Sequence, residues 1–257
     1  MALNRPIRDW RERRVWIVGA SSGIGAALAQ ALAQHGARLA LSARNRERLE
    51  TVAASCGGAE VVPMDVTLSA DHARACAEVQ AALGGIDVVV FNAGTYQPLR
   101  AWELDGERVR DTVMTNLCGV MEGVAAVVPG MLARGQGAIV MVGSVAGYGG
   151  LPRALVYGPT KAALINFAEV LYLDLAPRGV GVFLVNPGFV ATPLTAGNDF
   201  HMPALMTADD AARQMLDGLA RGDFEVHFPK RFTRVLKLLS LLPRRWYFPL
   251  IRKVTGL

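Results

Sequence analysis

Between residues 15 and about 228, short apolar runs alternate with longer segments of helical periodicity. The runs lie at 15–18, 38–42, 61–62, 86–91, 138–142, 180–185 and 224–228. Helical patterns fill the intervals at 24–35, 46–54, 69–83, 107–133, 156–176 and 207–220. A strand, a helix of ten residues or more, and a second strand make a crossover unit. Such crossovers are right-handed and join parallel neighbours, whose sheet must be covered on both faces. The chain is therefore predicted to be α/β, one doubly wound domain with a parallel sheet of about seven strands. No linker composition divides 15–228. It is flanked by a basic N-terminal segment, 1–14, and a basic amphipathic tail, 229–257.

Composition removes several function classes. With 257 residues, 52% of them hydrophobic, the chain can bury a large core and is not disordered. Cys56, Cys76 and Cys118 are odd in number and widely spread, which fits neither a disulfide framework nor zinc spacing and predicts a reducing, cytoplasmic setting. The N-terminus has no apolar core of a signal peptide, and no run reaches the roughly 18 apolar residues of a spanning helix. Five arginines lie in 1–14 and eight basic residues without an acid in 228–257, so the body between them is net acidic. A nucleic-acid protein carries its cations on the globular body, so no nucleic-acid partner is expected.

The first predicted strand ends in Gly19-Ala20-Ser21-Ser22-Gly23-Ile24-Gly25, which leads into the first helix. Glycines there let backbone approach a pyrophosphate, and the helix N-terminus offers free N–H groups and a positive dipole. A tight strand–helix turn needs glycine in any case, so position after the first strand is what favours a dinucleotide. After the second strand the chain reads Ser42-Ala43-Arg44-Asn45. No carboxylate stands there to bind a ribose 2′-hydroxyl, and Arg44 can pair with a 2′-phosphate. NADP(H) is accordingly expected over NAD(H); the alternative is an Arg44 that simply ends the strand in solvent. Asp65-Val66 after the third strand and Asn92-Ala93-Gly94 after the fourth are placed to meet adenine and its ribose.

Tyr157 and Lys161 open the long helix after the fifth strand, four residues apart and so on one face. An adjacent ammonium and an oxidised nicotinamide, both positive, favour phenolate and are expected to lower a tyrosine pKa from near ~10. Ser144, at the end of the fifth strand, is placed to hydrogen-bond a carbonyl oxygen.

Together these segments resemble the short-chain dehydrogenase/reductase family, one-domain subtype, over about residues 13–228. The resemblance implies a Rossmann-type fold and a dimer or tetramer. Gly19, Ser21, Gly23, Ile24 and Gly25 match the family's cofactor turn, Asp65 its adenine contact, and Asn92, Ala93 and Gly94 its N-A-G segment. Asn116, Ser144, Tyr157 and Lys161 match the catalytic tetrad. Pro187, Gly188, Val190 and Thr192 match the segment that meets the nicotinamide carboxamide. Val18 and Phe91 stand where the family usually has Thr and Asn, so apolar packing is expected to replace polar contacts. Pro159 falls in a first helical turn, which tolerates a residue without an N–H.

The implied activity is hydride transfer between NADPH and a carbonyl or secondary alcohol, with Tyr157 as acid/base and Tyr148 beside Ser144 at the substrate. Phe200, Met202, Leu205 and Met206 in a lid-like segment, with Tyr96, Tyr148 and Leu151, suggest an apolar pocket for a lipophilic substrate. A 3-oxoacyl-thioester reductase and a non-catalytic dinucleotide-binding scaffold are the other readings. In the tail, Lys230, Arg234 and Lys237 share one helical side while Phe232, Val235, Leu236, Leu239 and Leu242 share the other, before Pro243 and the aromatic run Trp246-Tyr247-Phe248. That pattern fits attachment at the inner face of a membrane, or equally a cover for a subunit interface or the pocket mouth.

Overall fold

The computed structural model describes residues 2–256. Its centre is a seven-stranded sheet in the order β3-β2-β1-β4-β5-β6-β7, every neighbouring pair parallel. The strands are β1 Arg14–Val18, β2 Arg38–Ser42, β3 Glu60–Val61, β4 Val88–Phe91, β5 Gly137–Val142, β6 Val180–Pro187 and β7 Glu225–Phe228. Each matches a predicted run to within about two residues at either end. The helices between them are α1 Gly23–Gln34, α2 Arg46–Ser55, α3 Ser69–Leu83, α4 Gly106–Val113, α5 Gly119–Arg134, α6 Tyr157–Leu175 and α7 Ala208–Arg221.

Strands apolar on both sides are what a parallel sheet between two helical layers requires. Ile17, Leu41 and Val90 face a core shared with Leu28 of α1, Leu49 of α2 and Met215 of α7. Trp16, Val89 and Met141 face the other core, with Val79 of α3, Val124 of α5 and Leu164 of α6. Chain order reverses between β1 and β4, which opens a crevice at the C-terminal ends of those two strands. Val18 and Phe91 are register partners there and both are buried, as their apolar character predicted. The stretch Gly106–Arg134 has an apolar window of mean hydropathy 1.5. Val120, Val124, Val127 and Met131 in it are core residues against the sheet.

The flanking segments are built into the body. Ile7 and Trp10 are buried in the core with α1 and α7, so 2–14 is continuous with the domain. The tail forms α8, Lys230–Ser240, and after Pro243 a second helix, α9, Arg244–Thr255, which the sequence reading did not foresee. Thr233 of α8 and Tyr247 and Ile251 of α9 are buried.

The expected rotation of α8 is corrected. Lys237 turns inward onto Glu225 at the start of β7, whereas Val235 points outward and is more than half exposed. A half-buried carboxylate loses more without a cation than a valine loses in water, so the ion pair decides which way the helix faces.

Candidate active site

Gly19 begins the crevice. Its φ is +92°, and a Cβ there would stand 2.4 Å from the Ala93 nitrogen, so only glycine lets β1 turn beneath the segment after β4. Gly25 lets α1 sit on that turn, since a Cβ would meet the Gly19 carbonyl oxygen at 2.1 Å. Asn92 Nδ2 donates to the same oxygen at 2.7 Å and ties the two loops together. The N-terminus of α1 is left open: Ser22 makes no side-chain cap and the first turn holds no acid.

These loops enclose a cleft of about 300 Å³. Gly19, Ser21, Ser22, Gly23, Ile24, Arg44, Asn45, Asp65, Val66, Asn92, Ala93, Gly94 and Thr192 all line it. Arg44 is exposed. Asn45 lines the wall and also caps α2 by accepting from the Arg48 backbone N–H at 2.8 Å. Asp65 is partly committed, accepting from the backbone and hydroxyl of Thr67 at 2.9 and 2.8 Å. Gly25, Tyr157, Lys161, Pro187, Gly188 and Val190 are absent from the wall. Gly25 acts through packing, Gly188 binds back to the Phe228 carbonyl at 2.7 Å, and Val190 bridges Met206.

The four expected catalytic groups converge from three elements. Asn116 lies in a π-helical turn, Met114–Cys118, that interrupts α4 and α5. Its amide is held on both sides by Thr95, accepting from the backbone N–H at 2.7 Å and donating to the carbonyl at 2.8 Å. Lys161 is buried in the first turns of α6 and donates from Nζ to the Val142 carbonyl at 2.9 Å. A Cβ on Gly94 would lie 3.4 Å from Asn116 Oδ1 and 3.7 Å from Lys161 Nζ, so Gly94 on the cleft wall is the immediate neighbour of both groups. Ser144 is buried at the end of β5, its Oγ accepting from the Ala146 N–H at 3.1 Å. Tyr96 packs edge-on against Tyr157, ring centres 5.1 Å apart.

Burial pushes the Tyr157 phenol up to about 12, against a smaller downward pull from a hydrogen bond with Ser144. The lowering expected from the sequence needs an oxidised nicotinamide beside the phenol as well as the lysine; the protein groups alone act in the opposite direction. Lys161 Nζ is 5.5 Å from the tyrosine ring centre and bonded elsewhere, and burial brings the lysine itself down to about 8. Desolvation of both groups therefore outweighs their attraction.

Tyr148 has its hydroxyl engaged by β7. Its hydroxyl donates to Glu225 at 2.5 Å, in a network completed by Asn186 Nδ2 at 2.8 Å and by Lys237 of α8. Phe200 stacks on Phe189, which contacts Phe232 of α8, and Arg153 pairs with Asp199 across the segment that includes Phe200. Met202 accepts from Asn198, Leu205 is exposed, and Leu151 faces α9.

Three features of the site escaped the sequence reading. Arg48, one turn into α2, lines the cleft beside Arg44. The π-turn around Asn116 has no sequence signature. Glu225 reads as an ordinary strand residue until α8 is in place above it.

The sequence profile of the short chain dehydrogenase family matches residues 13–201. An uncharacterized oxidoreductase of Myxococcus xanthus is 39% identical over 235 residues, covering 90% of this chain and 93% of that protein. A short-chain dehydrogenase from Sphingobium yanoikuyae, solved with NADPH, superposes with a TM-score of 0.79 at 31% identity, covering 90% of this chain and 97% of that one. A Burkholderia phymatum short chain dehydrogenase/reductase solved with NAD has a TM-score of 0.82 at 24% identity, covering 90% and 94%, and speaks to the fold alone.

Proposed function

Because the chain belongs to the short-chain dehydrogenase family and is one of its oxidoreductases, we propose that it transfers hydride between NADPH and the carbonyl or secondary alcohol carbon of a lipophilic, lipid-like substrate. The observation that carries this reading is the convergence of Tyr157, Lys161 and Ser144 beside Gly94, a residue of the glycine-lined cleft. The residues present fit a nicotinamide dinucleotide. The open α1 N-terminus suits a pyrophosphate, and Arg44 with Arg48 suits a 2′-phosphate.

When bound, the dinucleotide supplies or accepts the hydride. Tyr157 holds its proton at neutral pH because burial opposes the phenolate, which makes it a proton donor to the substrate oxygen in reduction. Ser144 Oγ fixes that oxygen. Lys161 holds its ammonium beside Gly94, where it stabilises the phenolate as it forms, and Asn116 fixes the Thr95 segment facing it. The aromatic contacts among Phe189, Phe200 and Phe232 support an apolar substrate wall. Exposed Met121 on α5 and Val170 and Leu173 on α6 support a homodimer or homotetramer joined through those helices.

The test is a fluorescence titration with NADPH and NADH, followed by turnover of hydrophobic ketones and aldehydes. Tighter NADPH binding, and a Tyr157→Phe variant that binds NADPH but does not turn over, are expected. Preference for NADH overturns the cofactor assignment, full activity of Tyr157→Phe overturns the mechanism, and binding of neither nucleotide overturns the oxidoreductase reading.

A further inference from the structure

The outer surface of α8 and α9 combines two properties that a surface helix normally keeps apart. On α8, Leu238 and Leu241 are 66% and 79% exposed, and on α9 Trp246 is 62% exposed. Cations lie between them: Arg234 on α8 and Arg245 and Arg252 on α9 point to solvent. The two helices contain no acid. Lys237 is the tail cation that finds a carboxylate among the described residues, and it turns inward to do so.

The inward faces are already occupied. Thr233, Tyr247 and Ile251 are buried, and Tyr247 donates to the Gly150 carbonyl at 2.8 Å. The leucines and tryptophan left outside are therefore not the packing face of an undocked tail.

We propose that the outer surface of α8 and α9 is a docking face for an anionic phospholipid bilayer. Large apolar side chains alternating with arginines along a helix suit an interface where acyl chains and phosphate headgroups are within one side chain's reach. Arginine stems bury along the apolar zone while their guanidinium groups stay with the phosphates, and tryptophan occupies the headgroup boundary. A nucleic acid would have no use for the exposed leucines, and a protein interface depletes charge at its centre. One edge of the face also borders the loop that joins Ser144 to Tyr157. A groove of about 840 Å³ runs between Gly150, Leu151 and Pro152 on one wall and Phe248, Ile251 and Arg252 on the other. The first wall belongs to the loop that joins Ser144 to Tyr157. A bilayer at this face would bring lipid-like molecules to that loop.

The proposal stands apart from the reaction, because its readout is partition onto vesicles. Full-length protein is co-sedimented with vesicles of pure phosphatidylcholine and of phosphatidylcholine containing phosphatidylglycerol. Two variants accompany it, Arg234→Gln/Arg245→Gln/Arg252→Gln and Leu238→Gln/Leu241→Gln/Trp246→Gln. These change outward side chains, so circular dichroism and nucleotide binding are expected to match the wild type. Wild type is expected to bind the anionic vesicles alone and to be released by high salt. The arginine variant is expected to bind about a hundredfold more weakly, and the apolar variant to lose retention. Failure of the wild type to bind, equal binding to neutral vesicles, or variants that bind as well as wild type would each overturn the proposal. So would a change of oligomeric state in either variant by light scattering, since that would assign the face to a second copy of the chain.

Discussion

Tyr157 is half-buried and its nearest cation is bonded to a backbone carbonyl, so desolvation raises the phenol to about 12 while Lys161, buried, falls to about 8. In reduction the active forms are protonated Tyr157 and charged Lys161. For the free enzyme, kcat/KM for carbonyl reduction should therefore hold level up to about pH 8 and fall above it as Lys161 loses its proton. Alcohol oxidation, which needs the phenolate, should rise over the same range. A Lys161→Arg variant keeps its charge to higher pH, and its pH–rate profile should show the descending limb moved upward. A limb that stays near 8 would assign it to another group. At the far end of the cleft, Arg48 and Arg44 lie on one wall. A hydrogen bond to a charged group is worth about 1.5–3 kcal/mol, so Arg48→Ala should weaken NADPH binding about tenfold or more. NADH binding should be unchanged, as read by nucleotide fluorescence.

The elements themselves were legible where local periodicity and tertiary packing agree. Strands apolar on both faces and the Gly19 turn could be read directly, since each needs a residue type that few other contexts demand. The π-turn at Met114–Cys118 could not, because Met-Thr-Asn-Leu-Cys has ordinary helical periodicity and the extra residue per turn arises from packing. Neither could α9, whose internal Pro249 argues locally against a helix. The rotation of α8 was set by Glu225, a residue on another element, which no helical wheel contains. That same contact region makes the tail sensitive to acid. His227 on β7 bonds Thr233 of α8 at 2.6 Å, and burial, with Lys237 and Lys230 nearby, lowers its pKa from 6.5 to about 4. The unfolded chain therefore binds this proton first as pH falls. Stability from this group is complete above about pH 6.5 and is lost progressively toward pH 4. Thermal midpoints measured across that window should fall in the wild type and fall less in His227→Gln.

Across the whole molecule, the two ends of the sheet divide the work. The glycine turn, Ser144 and the residues after β4 and β6 stand at the C-terminal ends of the strands, where the chain reverses direction between β1 and β4. The opposite end is closed by the N-terminal segment. Asn4, buried, uses its side-chain amide as a strand would use its backbone. Nδ2 donates to the Val182 carbonyl at 2.7 Å, and Oδ1 accepts from the Val182 N–H at 3.0 Å. Further along, the backbone N–H groups of Asn4 and Ile7 donate to the Gly222 and Leu219 carbonyls, locking the segment across β6 and the end of α7. In the sequence 1–14 reads only as a basic segment flanking the domain, because its charges outnumber the few residues that anchor it. Replacing Asn4 with Ala would leave a buried donor and acceptor of Val182 without partners, at a cost of about 1–3 kcal/mol. Urea unfolding should shift by that amount, with nucleotide affinity per folded molecule unchanged, because Asn4 touches neither the cleft nor α6. Loss of NADPH binding in a folded Asn4→Ala protein would instead mean that the two ends of the sheet are coupled through β6.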